Sequence, residues 1–289
     1  MDFAFHTVDV FATTRFGGNP LAVVLDADAL TDLQMHAIAR EFNYSETTFI
    51  CRPSDPRHTA RVRIFTPGGE VPFAGHPNIG TAHVLASLPQ HRSATGFTFE
   101  EAAGLVPLTI TRDGDCVVST RLTAPQPLST GAEVAVDTVA TALSLPRAEI
   151  VTTRHPPRFA SVGLPFLIVE LASRTALSRA TANATAFPGP DAPARMIWLY
   201  TRDTSPADSG AEISARMFAP FDGVPEDPAT GSATAAACAM LASLTGQSAF
   251  HVAQGVDMGR PSALHVTIDA NGTHLAGSSV PVMSGTLSV

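Results

Sequence analysis

The feature that most limits what this chain can fold into is an internal repeat. Arg63-Ile-Phe-Thr-Pro67 returns as Arg216-Met-Phe-Ala-Pro220. A glycine-containing loop follows each copy, then an Ala-rich segment closing on Leu-Ala-Ser-Leu, so that residues 75–88 align without a gap on residues 231–244. Two matches in the same order and at nearly the same spacing point to duplication. Each Ala-rich segment reads as a helix with no charged face. Such a helix cannot lie on a surface and must be wrapped by other elements.

The surrounding pattern is strand-rich in both halves. In the first, Ala4–Phe11, Pro20–Leu25, Thr47–Cys51 and Ala60–Phe65 read as strands, and Thr31-Asp-Leu-Gln34 is a capping box opening a helix through about Glu41. Three short strands follow near Gly96–Glu100, Val106–Thr111 and Cys116–Thr120. The second half repeats the plan, with strands near Ala160 and at Leu167–Leu171, Met196–Tyr200, Ala211–Phe218, Leu264–Ile268 and Ser279–Met283. Leu122-Thr-Ala-Pro-Gln-Pro127 is the natural linker.

The expected fold is therefore α+β: two pseudo-symmetric domains, residues 1–124 and 125–289, each a curled mixed sheet or barrel around a central apolar helix. An exchange of the last strand onto the first domain would make that boundary discontinuous. A length of 289 residues with 45% apolar content suffices for two such cores. A cleft between the halves follows from this plan.

Composition removes several function classes. A net charge of −8 and 15% charged residues do not suit a nucleic-acid binder. All 18 basic residues are Arg, so no lysine Schiff base with pyridoxal phosphate or a carbonyl substrate can form. Cys51, Cys116 and Cys238 form no C-x-x-C pair, which speaks against a disulfide framework or thiolate zinc site. The residues Met1-Asp-Phe-Ala-Phe-His6 lack a basic n-region and apolar run, and the expected location is cytoplasmic. The uncharged run from Pro228 to Val256 is Ala, Ser, Thr and Gly rather than Leu, Ile and Phe, and reads as a buried core helix rather than a membrane span.

A helix start exposes unpaired N–H groups and the positive end of the macrodipole, and glycine lets a ligand approach the backbone. Both repeat helices open this way. One start is Phe73-Ala-Gly-His-Pro-Asn78, with Pro77 suited to the first helical position, and the other is Glu226-Asp-Pro-Ala-Thr-Gly-Ser232. Related by a pseudo-twofold axis, the two starts would face each other and hold a small carboxylate. That arrangement would stabilise an enolate or aci-carboxylate formed by removal of a C–H proton. The acid/base is then expected at Glu46, where the capped helix turns back into a strand in apolar surroundings that favour a neutral carboxyl.

These residues carry a specific resemblance. Asp9-Val-Phe11, Phe16-Gly-Gly-Asn-Pro20, Ser45-Glu-Thr47, Pro72-Phe-Ala-Gly-His-Pro77, Glu226-Asp-Pro-Ala-Thr-Gly-Ser232 and Gln254-Gly-Val-Asp-Met-Gly-Arg-Pro-Ser262 resemble, in order and over essentially the whole chain, the phenazine-biosynthesis PhzF-like family. The resemblance implies the diaminopimelate-epimerase fold, acid/base isomerisation with no cofactor, and a homodimer. By matching position, Glu46 resembles the proton-transferring carboxylate, and His76 and Asp227 resemble the polar groups that bind substrate and help relay protons. Ser232 with Gly75 and Gly231 resembles the anion-binding part, and Asn19 would line the same cleft. The implied substrate is small and carboxylate-bearing, of the cyclic dihydro-hydroxy amino-acid kind used in the phenazine pathway.

Other readings stand beside this one. The two-thiol epimerases and racemases of the same fold need paired cysteines, and Ala74-Gly75 with Pro228-Ala229 stand where thiols are expected. A non-catalytic small-molecule binding protein would keep the same cleft. Glu70, Asp222 and Glu226 are alternative carboxylates, ranked below Glu46 and Asp227, and His76 and Ser232 could act simply as helix caps. The histidines show no metal-ligand spacing, so no metal is expected. The motifs G-x-G-x-x-G, G-x-x-x-x-G-K-[ST] and G-x-S-x-G are all absent.

Overall fold

The computed structural model describes residues 1–188, 192–221 and 225–289. The chain divides into two compact units, one made of Met1–Thr123 with Ala276–Val289, the other of Ala124–Leu275.

The first unit runs through β1 (Asp2–Val10), β2 (Asn19–Val24), α1 (Asp32–Phe42), β3 (Glu46–Cys51), β4 (Ala60–Thr66), β5 (Gly69–Val71), α2 (Gly75–Ser87), β6 (Gly96–Glu101), β7 (Gly104–Asp113) and β8 (Cys116–Thr123). The second contains β9 (Ser129–Glu133), α3 (Val136–Ala142), β10 (Ile150–Val151), β11 (Arg158–Ser161), β12 (Pro165–Leu171), α4 (Arg174–Arg179), β13 (Ile197–Thr201), β14 (Ile213–Phe218), β15 (Glu226–Asp227), α5 (Gly231–Thr245), β16 (Ala249–Gln254) and β17 (Ser262–Asp269). The chain then passes through β18 (Gly272–Gly277) and returns to the first unit as β19 (Ser279–Ser288), antiparallel to β1.

The duplication is explicit in the pairing. In the first unit β1 and β2 are antiparallel, β2 and β3 parallel, β3 and β4 antiparallel, β4 and β6 parallel, and β6 and β7 antiparallel. In the second, β11 and β12, β12 and β13, β13 and β14, β14 and β16, and β16 and β17 follow the same alternation. In each unit the repeat helix lies between a short strand, β5 or β15, and the parallel partner of the strand before it.

The two repeat helices are wrapped, as apolar helices must be. Twelve of the thirteen residues of α2 are buried, against β1, β2, β3, β7, β8 and β19. Ten of the fifteen residues of α5 are buried, against β11, β12 and β17. A second apolar layer covers the other sheet face, where Met35, Ile38 and Ala39 of α1 pack with Val24, Phe49 and Phe65. In the second unit Ala176 and Leu177 of α4 pack with Leu167, Val169, Leu199 and Phe218.

Two local readings change. The uncharged run after Pro228 is not one helix: α5 ends where Gly246 takes φ 77°, which an L side chain would resist, and Ala249–Gln254 is a strand. Pro77 is the third residue of α2 rather than the first, still within the turn where a missing N–H is tolerated. The Thr31 capping box is present as read, with Thr31 Oγ1 accepting from Gln34 N and the Gln34 side chain accepting from Thr31 N. Among the described residues no helix is long and apolar enough to cross a membrane.

Candidate functional site

In the first unit, three strand and helix starts bring polar side chains together. Asn19 opens β2, Glu46 opens β3, and parallel pairing of these strands sets Leu21 opposite Glu46. The left-handed Asn43, φ 53°, ends α1 and turns the chain so that β3 begins at Glu46. Gly75 and His76 are the first two residues of α2. His76 Nδ1 stands 3.5 Å from Glu46 Oε2 and 3.4 Å from Asn19 Nδ2, with the histidine side chain 5% and the glutamate side chain 18% exposed.

Burial pushes the His76 ring down to a pKa of about 3, and the nearby Pro20 carbonyl offsets this only in part. The ring is therefore neutral near pH 7, and its approach to Glu46 is a polar contact rather than an ion pair. Nδ1 faces both Asn19 Nδ2 and the Glu46 carboxylate, and Nε2 has no side-chain or backbone hydrogen-bond partner by strict geometry among the described residues. The start of α2 carries no side-chain cap: its N-cap is Ala74, and Asn78 Nδ2 instead donates to the Ala74 carbonyl at 3.0 Å. His76 thus does not cap its helix, and the first N–H groups of α2 keep the anion-binding potential of a helix start.

In the second unit Asp227 is the last residue of β15, paired with Met217 of β14, and is 8% exposed. Thr230 Oγ1 donates to Asp227 Oδ2 at 2.5 Å. Gly231 and Ser232 open α5, Gly231 buried and Ser232 half-buried, again without a side-chain cap. Ser232 is therefore not a cap either. Gly255 adopts φ 73°, and a Cβ there would meet the Arg260 and Pro228 carbonyl oxygens at 2.4 and 2.5 Å, so this loop can only be closed by glycine.

Two of the alternative carboxylates are used structurally. Glu70 receives Arg63 Nε and Nη2, both at 2.7 Å, and Glu226 receives Arg216 Nε at 2.7 Å and Nη2 at 2.8 Å. Each arginine also lies over the phenylalanine two residues on, Phe65 or Phe218. The Arg-x-Phe signature is thus a repeated fork-to-fork brace. Asp222 lies outside the described residues.

Three polar residues went unnoticed as site candidates in the sequence. Thr230 and Gln254 surround Asp227, and Glu101 ends β6 with both carboxyl oxygens buried and no hydrogen-bond partner among the described residues. Burial pushes Glu101 up to about 8, with the Asn78 side chain a small opposing influence. A strand-end glutamate gives no sequence signal of burial.

The family model described as phenazine biosynthesis-like protein matches residues 8–285. The chain belongs to this family. Among relatives in the phenazine biosynthesis-like family, an uncharacterized isomerase of Mesorhizobium japonicum is 38% identical, over 96% of each chain. The trans-2,3-dihydro-3-hydroxyanthranilate isomerase of Pseudomonas chlororaphis is 34% identical, over 97% of each. The crystal structure of a Bacillus anthracis family member superposes with a TM-score of 0.89 at 24% identity, covering both chains completely. A hydroxyproline epimerase from Agrobacterium vitis has the same fold at a TM-score of 0.63 and 16% identity, over 99% of this chain and 91% of its own. The fold is therefore the epimerase-like one that the family resemblance implies, and it agrees with the duplicated sheet-and-helix plan read from the repeat.

Proposed function

We propose that this protein is a cofactor-independent isomerase that moves a proton on a small carboxylate-bearing substrate by acid/base catalysis. Glu46 takes a proton from a substrate carbon and returns one to a conjugated position. Asn19 and neutral His76 hydrogen-bond the substrate beside it. Asp227 and Ser232 serve the same reaction, and the starts of α2 and α5, at Gly75 and Gly231, bind its anionic groups.

The observation that carries this reading is the carboxylate of Glu46 beside a neutral histidine at an uncapped helix start. Neutral His76 can donate a hydrogen bond from one ring nitrogen and accept one at the other, as a relay must. The names of the relatives support an isomerase and supply a test compound. A two-thiol epimerase is disfavoured: Cys51 and Cys238 are buried, Cys116 lies on β8, and Ala74 and Ala229 occupy the helix-start loops. The family resemblance further implies a homodimer, which light scattering would read directly.

Proton NMR in deuterated water with trans-2,3-dihydro-3-hydroxyanthranilate tests the reading. Wild type should place deuterium on a substrate carbon, and Glu46→Gln should slow this by about 10²- to 10⁴-fold. Equal exchange by both proteins would remove Glu46 from its role, and saturable binding without exchange would favour a binding protein.

A further inference from the structure

Gln254 closes β16 with no exposed surface, and both ends of its amide are fully engaged. Oε1 accepts from Trp198 Nε1 and from Thr230 N, each at 3.3 Å. Nε2 donates to the Asp227 carbonyl at 2.8 Å and to Thr230 Oγ1 at 3.2 Å. A primary amide has two donors and two acceptor sites, so all four are used. The reverse orientation would set an NH₂ group against two N–H donors and an oxygen against a carbonyl, so the surroundings fix the amide one way round.

That orientation decides where a distant proton sits. Thr230 Oγ1 already accepts from Gln254, and its single proton goes to Asp227 Oδ2. Oδ2 is thereby held as an acceptor. Strand register explains how these groups meet: Trp198 of β13 pairs with Met217, which pairs with Asp227, while Ala215, two residues away on the same face, pairs with Gln254.

We propose that Gln254 and Thr230 are positioning residues for Asp227, with Trp198 orienting Gln254, so that the Thr230 hydroxyl fixes Oδ2 as an acceptor and holds the carboxylate in one orientation for the substrate. This rests on Asp227 serving the reaction proposed above. The proton balance is that of the reaction proposed above, one proton taken from carbon and one returned by Glu46, with Asp227 as a hydrogen-bonding partner of the substrate and no co-reactant.

The test has a kinetic and a spectroscopic arm. With trans-2,3-dihydro-3-hydroxyanthranilate as probe, Thr230→Val should lower kcat by about 10- to 100-fold with KM within about threefold, and Thr230→Ser should restore it. Thr230→Val as active as wild type, with Asp227→Asn inactive, overturns the proposal and leaves the role of Asp227 standing. Asp227→Asn as active as wild type instead overturns the assignment of Asp227 and the proposal with it. The spectroscopic arm needs no turnover, because Trp198 is the chain's one tryptophan. Gln254→Leu should shift its indole N–H resonance upfield and change its emission, while Gln254→Glu, which keeps the acceptor toward the indole, should preserve the resonance and lose turnover. An indole signal unmoved by Gln254→Leu overturns the proposal whether or not the probe is turned over.

Discussion

His76 holds its Nδ1 between two groups from different strands, 3.5 Å from Glu46 Oε2 and 3.4 Å from Asn19 Nδ2. Because burial lowers the ring's pKa to about 3, His76 does not change charge across the pH range in which an enzyme of this kind would be assayed. No limb of the pH–rate profile between pH 5 and 8 should belong to it, and ¹⁵N-detected imidazole spectra should show the neutral ring throughout. In the unfolded chain the ring protonates near its ordinary value of about 6.5. Its contribution to stability is therefore complete above that pH and drains away as pH falls toward 3. A His76 imidazolium seen at pH 6 would sink this account.

Glu101 has the opposite linkage. Its folded pKa is raised to about 8, so the folded protein holds this proton over a range in which the unfolded chain has released it. The stability it contributes is complete below about 4.5 and is lost as pH rises toward and through 8. The charged neighbours in sequence and register are Glu100, which accepts from the Ser54 and Asp55 N–H groups and contacts His58, and Arg61 across the sheet, and neither contributes to the raised value. Glu101→Gln should leave thermal stability nearly unchanged at pH 5 and raise it by about 1–3 kcal/mol at pH 9. Parallel melting curves at both pH values in wild type would refute this.

The architecture was legible because a helix with no polar face has one packing solution, and because the Arg-x-Phe-x-Pro match fixed the repeat. Glu46 was placed at the helix-to-strand turn for a local reason, the Thr31 cap and the return into Thr47–Cys51. What escaped reading was non-local. Strand β15 has two residues, β9 is an exposed Ser-Thr-Gly-Ala-Glu segment, and β16 hides in an uncharged run that continues from a helix. The partners of His76 come from β2 and β3 and those of Gln254 from β13, β15 and the cap of α5, and their spacing along the chain carries no trace of that contact.

Gly80 separates packing from propensity. Ala is favoured over Gly inside a helix by about 1 kcal/mol. In α2, however, a Cβ at Gly80 would lie 2.6 Å from both Leu21 Cδ2 and Val10 Cγ2 and 3.2 Å from Val8 Cγ2, all of them buried strand side chains. Gly80→Ala should therefore destabilise the protein by about 1–3 kcal/mol, reversing the sign that propensity gives. The aligned position in α5 is already Ala236, fully buried, so Ala236→Gly should lose stability in the ordinary direction. Chemical denaturation of the two variants provides the comparison, and a stabilised Gly80→Ala would show that the strands yield easily.

The two arginine braces differ in what else they hold. Arg63 adds one contact to Asp32 at 2.7 Å, and its acidic partners are substantially exposed. Arg216 sends Nη1 to the carbonyls of Leu177, Ser178 and Ala180 at 2.9, 3.2 and 2.9 Å, tying the end of α4 to the sheet, and its side chain is only 11% exposed. Removing it leaves Glu226 and these carbonyls poorly satisfied, so Arg216→Ala should cost about 3–5 kcal/mol. Arg63→Ala, screened by solvent, should cost about 1 kcal/mol. Glu226 and Asp227 form β15 together, so Arg216→Ala should also weaken turnover more than its stability loss explains at a temperature where the variant is folded. Equal denaturation midpoints for the two variants would mean that the braces act only as surface ion pairs.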